Sequence, residues 1–256
     1  MDVAAGIELQ RRGLTAFVRL LATGSDDSSL LEHDGVIGSV VPGAPDRSVL
    51  NSVVYRDAAS LRAALEELAG AYEAAGVRAW TVWVPEADRE AAALLEAAGH
   101  RLDAAPTAMV LDLADLGESR GDGLDWDSNA AVEDVTRIND LAYGFEVGTF
   151  GGAMTRMPPG LALRLYQARV DGEPACVMAT VDDDADCGIY LVATLKEHRG
   201  RGLAGGLLHL ALAEARERGL ETSSLQSTKF GYPVYARLGY EPICALEMWE
   251  RREMSG

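Results

Sequence analysis

Residues 195–212 read LKEHRGRGLAGGLLHLAL, a basic, glycine-dense turn that runs straight into an alanine- and leucine-rich helix. Small residues at Gly200, Gly202 and Ala204 let a backbone come close to a ligand, and the unpaired N–H groups at a helix N-terminus attract anions. The preceding run, Gly188-Ile189-Tyr190-Leu191-Val192-Ala193-Thr194, is short, apolar and partly β-branched, so it reads as a buried strand that delivers the chain into the turn. Strand, tight turn and helix together form an anion cradle, and the expected ligand carries phosphates. A dinucleotide-binding turn would space its glycines G-x-G-x-x-G, and a phosphate-binding loop of the nucleotide hydrolases would read G-x-x-x-x-G-K-[ST]. Neither spacing is present.

The turn fits R-x-x-G-x-A, and a second stretch follows at residues 225–240, LQSTKFGYPVYARLGY, which reads as a strand, a loop and a short helix ending in a glycine-aromatic pair. With these two landmarks in this order, the sequence resembles the GNAT superfamily of acyl-CoA-dependent N-acetyltransferases. The resemblance implies acetyl-CoA as cosubstrate, with its pyrophosphate held by Arg199, Gly200, Arg201, Gly202, Leu203, Ala204 and Gly205. It implies that Val192, Ala193 and Thr194, in a strand that splays from its neighbour, bind the pantetheine arm and polarise the thioester carbonyl. It also implies that Tyr235 is the acid that protonates the departing thiolate, with Tyr232 as the second candidate; a phenol stays protonated at neutral pH and can donate. Thr228-Lys229-Phe230 departs from the small residues common in the family at that point, and bears on the shape of the cofactor mouth.

The chain has 256 residues, enough for one large or two small domains, and two are expected. The stretch 116–125 is polar, glycine-rich and without apolar periodicity, so it is read as a linker between 1–115 and 126–256. The fold class expected is α/β with a mixed sheet, in two tandem acyl-CoA N-acyltransferase-like domains. The first keeps the scaffold but has no R-x-x-G-x-A turn, so it is the degenerate one.

The formal charge is −17, and Lys+Arg against Asp+Glu is 9 against 18 in residues 1–115 and 14 against 22 in residues 116–256. An evenly acidic surface repels phosphate backbones and anionic lipid, which argues against nucleic-acid and membrane partners. Lys196, His198, Arg199 and Arg201 form a local basic island at the proposed phosphate turn. No apolar run reaches the roughly 18–20 residues of a membrane span, and a cytoplasmic location is expected. Cys176, Cys187 and Cys244 lack C-x-x-C spacing or nearby histidines, so they read as reduced thiols in strands, with no metal site.

In the first half, helices are expected at 7–22, 58–75 and 88–98, and strands at 36–41, 49–55, 79–84 and 109–113. Asp57 is the expected cap of the second helix, and Leu61, Leu65, Leu68 and Tyr72 its apolar face. Trp80 and Trp83 sit in a run of valines and read as core. In the second half, helices are expected at 130–142, 201–218 and 233–238, and strands at 165–170, 175–181, 187–194, 221–226 and 243–249.

The function expected is transfer of acetyl from acetyl-CoA to a primary amine, on a small molecule or on a protein amino group; the alternative is a non-catalytic acyl-CoA sensor or partner-binding protein. No residue is assigned as base: Glu146 lies in a loop that could border the acceptor, and His209 in the cofactor helix reads as packing. The segment 143–160 is either a lid or a plain connector. Asp182, Asp183, Asp184 and Asp186 read as a solvated hairpin tip.

Overall fold

A computed structural model describes residues 2–117 and 123–252. The expected linker 116–125 therefore lies in part outside the described residues. Among these residues, twelve strands join in one mixed sheet, with six helices packed on its faces.

The two halves repeat one pattern. In the first, β3 (Ser52–Tyr55) leads through helix α2 (Ala58–Ala74) to β4 (Ala79–Pro85), and the two strands pair in parallel. In the second, β10 (Asp186–Thr194) leads through α5 (Leu203–Glu217) to β11 (Thr222–Ser227), again in parallel. A shorter helix follows each unit, α3 (Arg89–Ala97) and α6 (Tyr232–Arg237). Helix α2 forms where expected: the Ser60 amide donates to Asp57 Oδ1 at 2.8 Å, and Leu61, Leu68 and Tyr72 are buried on one face.

The halves are not side by side with separate sheets. Strand β6 (Thr107–Asp112), from the first half, lies antiparallel to β11, in the register Thr107↔Ser227 to Asp112↔Thr222. The last strand, β12 (Glu241–Arg252), runs from β6 across to β4, pairing Leu246↔Pro85 through Arg252↔Ala79. Each half thus completes the other's sheet. The order is β1 (Ser29–His33), β2 (Val36–Val40), β3, β4, β12, β6, β11, β10, β9 (Glu173–Asp183), β8 (Ala162–Val170) and β7 (Trp126–Asp127), with β5 (Arg101–Ala104) paired to β12.

Helix α1 (Val3–Thr23) seals the seam between the halves. Its Leu14 and Val18 pack with Ile37, Val54, Trp83, Leu246 and Met248, while Phe17, Leu20 and Leu21 join a cluster with Val177, Ala179 and Tyr190. Helix α4 (Val132–Tyr143) shares that face, and α5 and α6 cover the opposite one. Trp80 stacks on Tyr72 at 4.7 Å, and Trp83 donates to Ser52 Oγ at 3.0 Å, so both are core residues as expected. Cys176, Cys187 and Cys244 are free thiols in β9, β10 and β12.

One core residue predicts an acid sensitivity. His100 is 1% exposed and stands edge-on to Trp80 at 4.6 Å. Burial first, then the charge of Arg251, lower its pKa to about 4, and the Leu95 carbonyl offsets only part of this. An ordinary imidazole titrates near about 6.5, so between that pH and 4 the unfolded chain binds a proton that the folded one refuses. Stability is fully present above that window and is lost as pH falls through it, by ~3 kcal/mol in total. Urea unfolding at pH 7.5 and pH 4.5 should show a smaller difference in His100→Phe than in the wild type; an equal difference would contradict this.

Candidate functional site

The turn between β10 and α5 is built around two left-handed glycines, Gly200 at φ 75° and Gly202 at φ 82°. Gly202 is the N-cap of α5 and, having no side chain, offers the helix no capping group. The amide of Gly206 is the first to find a helical partner, in the Gly202 carbonyl at 2.9 Å. Among the described residues, the amides of Gly200, Arg201, Gly202, Leu203, Ala204 and Gly205 make no hydrogen bond within the protein. Exposed helix N-termini carry partial positive charge, so six successive free donors are chemically suited to an anion. A Cβ added at Gly200 or Gly202 would meet nothing within 4 Å, so the space beside the turn is open.

The same position in the first half is closed. Helix α2 is capped by the Asp57 carboxylate, which accepts from the Ser60 amide and pairs with Arg56. These bonds hold Asp57 ionised, with its pKa down at about 2. A fixed negative charge on that helix end repels a phosphate, which is the physical form of the degeneracy read from the missing motif.

Strands β10 and β11 pair only at Asp186↔Thr222, Cys187↔Ser223 and Gly188↔Ser224, and beyond that point they part. The closed end is knitted by Asp186, which is 2% exposed and accepts from Thr222 Oγ1 at 2.7 Å and Ser224 Oγ at 2.6 Å. Burial pushes its carboxyl up from the ordinary range, and the two hydroxyls oppose that. Parting is fixed by a bulge between Tyr190 and Ala193, where Leu191 takes φ 55°. Two residues of α4 hold the bulged backbone: Asn139 Nδ2 donates to the Leu191 carbonyl at 3.0 Å, and the Tyr143 hydroxyl donates to the Val192 carbonyl at 3.3 Å. Neither Asn139 nor Tyr143 had been singled out from sequence. The available signal was Tyr143 standing just before Gly144, the left-handed cap that ends α4.

Val192, Ala193 and Thr194 line this parted stretch of β10, and Thr194 Oγ1 donates to Cys176 Sγ at 3.2 Å. Tyr235, 9% exposed on α6, has its phenol pushed up by burial, with Tyr143 and Cys176 adding to the effect. Tyr235 packs in the buried cluster that holds Cys176 and Leu203, with Val192 against it. The Tyr235 hydroxyl makes no hydrogen bond within the described protein, whereas its ring stands edge-on to Tyr240 at 5.9 Å. A Cβ at Gly231 would lie 2.8 Å from the Tyr235 ring, so the glycine before α6 gives the ring its place. Tyr232 is half-buried on the same helix.

Arg199 does not point its guanidinium into open space. Its Nε donates to the Thr194 carbonyl at 3.1 Å and its Nη2 to the Ala142 carbonyl at 2.6 Å, tying the turn to the C-terminal end of α4. Arg201 lies beside His198, Nη1 to Nδ1 at 3.2 Å. Among the described residues, Lys196, Arg199 and Arg201, and Lys229 and Arg237 nearby in the chain, pair with no carboxylate. Arginines elsewhere, such as Arg12, Arg164, Arg169 and Arg218, are neutralised by aspartates. In so acidic a chain, uncompensated cations on the turn before α5 and on the loop and helix around α6 add to the pull on an anion.

Other candidates fall elsewhere. Glu146 is exposed in the segment after α4, and His209 is buried in α5. The segment 143–160 is anchored at its middle: Phe150, Ala153 and Met154 are buried, and the Thr155 amide donates to the Gly24 carbonyl at 2.9 Å. Its Gly152 meets Gly43 backbone to backbone, where a Cβ on either would lie within 2.5 Å of the other's carbonyl oxygen. Arg47, from the first half, bonds the buried Asp140 at 3.4 Å and lies 3.6 Å over the Phe145 ring. The acidic hairpin is less solvated than expected, since Asp182 pairs with Arg164 and Arg218 and Asp186 is buried. No group of side chains suited to a metal ion occurs among the described residues, and no described helix is long and apolar enough to cross a membrane.

Residues 186–243, which hold the strand, the turn and Tyr235, match the family description Acetyltransferase (GNAT) domain. An uncharacterized N-acetyltransferase of Streptomyces griseus is 39% identical over 72 residues, covering 28% of this chain and 16% of that protein. The match thus spans about a sixth of that relative's length. A GCN5-related N-acetyltransferase from Kribbella flavida has a similar fold, with a TM-score of 0.68, 21% identity, and coverage of 95% of this chain and 96% of that one. A tandem GNAT protein from the clavulanic acid biosynthesis pathway gives a TM-score of 0.61 at 18% identity, covering 94% and 89%. Both likenesses run through both halves.

Proposed function

We propose that this chain, a GNAT-superfamily protein, transfers acetyl from acetyl-CoA directly to a primary amine, using its second half as the catalytic unit. One observation carries the reading: six successive amides, 200–205, have no partner within the described protein at the uncapped end of α5, beside open space at Gly200 and Gly202, in the turn that follows the parted strand β10. A diphosphate fits such donors, and the cradle leaves room for it. The backbone of Val192, Ala193 and Thr194 would hold the pantetheine arm between β10 and β11. Acetyl-CoA supplies the activated acyl group, as a thioester.

Transfer forms a C–N bond and breaks a C–S bond; the amine nitrogen gives up one proton to solvent, and the released thiolate takes one from a donor that solvent then reprotonates. Tyr235 is the donor in this reading. Burial raises its pKa, so the phenol keeps its proton through the neutral and mildly alkaline range. Tyr143 and Asn139 hold the carbonyls of the bulge and so fix the slot's width. The acceptor is a small molecule or a protein bearing an amino group, and the anchored segment 143–160 with Arg47 gives both halves a share in its surroundings.

An amine panel scored by thiol release identifies the acceptor. On the amine that reacts, Tyr235→Phe should lower kcat about 100-fold, the usual scale for losing a positioned acid, while the acetyl-CoA Kd stays within about twofold. An unchanged kcat would remove Tyr235 from the chemistry. Retained cofactor binding with no thiol release from any amine would favour the sensor alternative.

A further inference from the structure

The loop that departs from the family pattern, Thr228-Lys229-Phe230, holds the most exposed large apolar side chain among the described residues, Phe230 at 96%. The loop is a built turn: the Tyr232 amide donates to the Thr228 carbonyl at 3.0 Å, and the Gly231 amide to Thr228 Oγ1 at 3.2 Å. An aromatic ring is therefore held out into solvent by a pinned backbone. Beside it, Lys229 has no carboxylate partner among the described residues, in a chain of net charge −17.

Position links this pair to the cradle. A Cβ on Gly205 would lie 3.8 Å from Val234 Cγ1, so the first turn of α6 abuts the first turn of α5. Phe230 lies in the turn that leads directly into α6, two residues before Tyr232 and four before Val234, so the loop enters the helix that abuts the start of α5. Coenzyme A continues from its diphosphate into a ribose that carries a 3′-phosphate and a purine. The two chemistries that end needs are a flat apolar surface and a cation.

We infer that Phe230 and Lys229 recognise the 3′-phosphoadenosine end of the cofactor, the purine stacking on the Phe230 ring and the Lys229 ammonium pairing with the 3′-phosphate. The inference rests on the cofactor reading above. Arg237, another uncompensated cation of this region, has its Nε tied to the Pro233 carbonyl at 2.6 Å at the far end of α6, whereas Lys229 is exposed next to Phe230 in sequence. The unusual sequence of this loop thereby becomes a specificity device that distinguishes whole coenzyme A from its dephosphorylated form.

Calorimetry with coenzyme A and with 3′-dephospho-coenzyme A, on the full chain, tests this without turnover. The wild type should bind coenzyme A about tenfold more tightly than the dephospho form. Lys229→Ala should abolish that difference by weakening coenzyme A alone, and Lys229→Arg should restore it. Phe230→Ala should weaken both ligands about tenfold, as loss of base stacking does, and Phe230→Trp should not. Both positions are exposed, so thermal melting should be unchanged in every variant. Equal wild-type affinity for the two ligands, or variants that bind like the wild type, would overturn the inference and leave the cradle standing. A wild type that binds neither ligand would overturn the cofactor reading as well.

Discussion

Gly202→Val is expected to weaken acetyl-CoA binding at least about 100-fold, equivalent to ~2.7 kcal/mol, while costing the free protein only a few degrees in Tm. Valine strongly disfavours the φ of 82° that Gly202 adopts, at ~1–3 kcal/mol of strain. Relief of that strain shifts the start of α5 and scatters the free amides. The new side chain also projects into the open space beside the turn, which the proposal assigns to the cofactor's diphosphate. Gly219→Val separates strain from site. Gly219 has φ 89° and open surroundings, but it lies beyond the far end of α5. That variant should lose similar stability and keep the wild-type Kd. Loss of binding in both variants, or in neither, would contradict the cradle.

The second large effect concerns the exchanged strands. Residues 126–256 produced alone should not fold cooperatively and should show no measurable acetyl-CoA binding. They lack β6, which separates β11 from β12, and so the edge of β11 beside the slot is left unpaired. They also lose the packing of Phe17, Leu20 and Leu21 from α1 and of Met109 and Leu111 from β6. At ~2 kcal/mol for each buried side chain this is about 10 kcal/mol, the size of a whole domain's stability. Supplying residues 1–117 as a second chain should restore binding. A monomeric, folded second half that binds acetyl-CoA unaided would show that the exchange is dispensable.

The strand-turn-helix from β10 to α5 was legible because each part has a local cause: an apolar β-branched run, two glycines at positive φ, and an alanine- and leucine-rich helix. Asp57 as a cap and Trp80 and Trp83 as core were legible for the same reason. The strands β1 and β5 were not. Strand β5 is exposed along its whole length, and β1 carries Glu32 and His33, so neither shows the apolar alternation that marks a strand. The exchange of β6 and β12 is a matter of partner choice. Both are apolar strands of suitable length, and no local pattern says which sheet each completes.

Within the site, the glycine turn could be read because glycine spacing is local, but the groups that hold the bulge of β10 could not. Asn139 and Tyr143 act on Leu191 and Val192 across some fifty positions of chain. Arg199 looked like a phosphate ligand, since arginine suits that task, and its guanidinium proves to be bonded to two carbonyls. In the proposed reading, the turn's own backbone is what remains for the diphosphate. That the first half has no such turn was visible as a missing motif, and the Asp57 carboxylate on its helix end was written in the same cap that made α2 predictable.

Hydrogen–deuterium exchange over the peptide that spans residues 199–206, with and without acetyl-CoA, tests the central claim most directly. The amides of residues 200–205 should exchange rapidly in the free protein and become protected at saturating acetyl-CoA, with peptides from α2 unchanged. Slow exchange in the free protein, or no protection when the cofactor is added, would contradict the account.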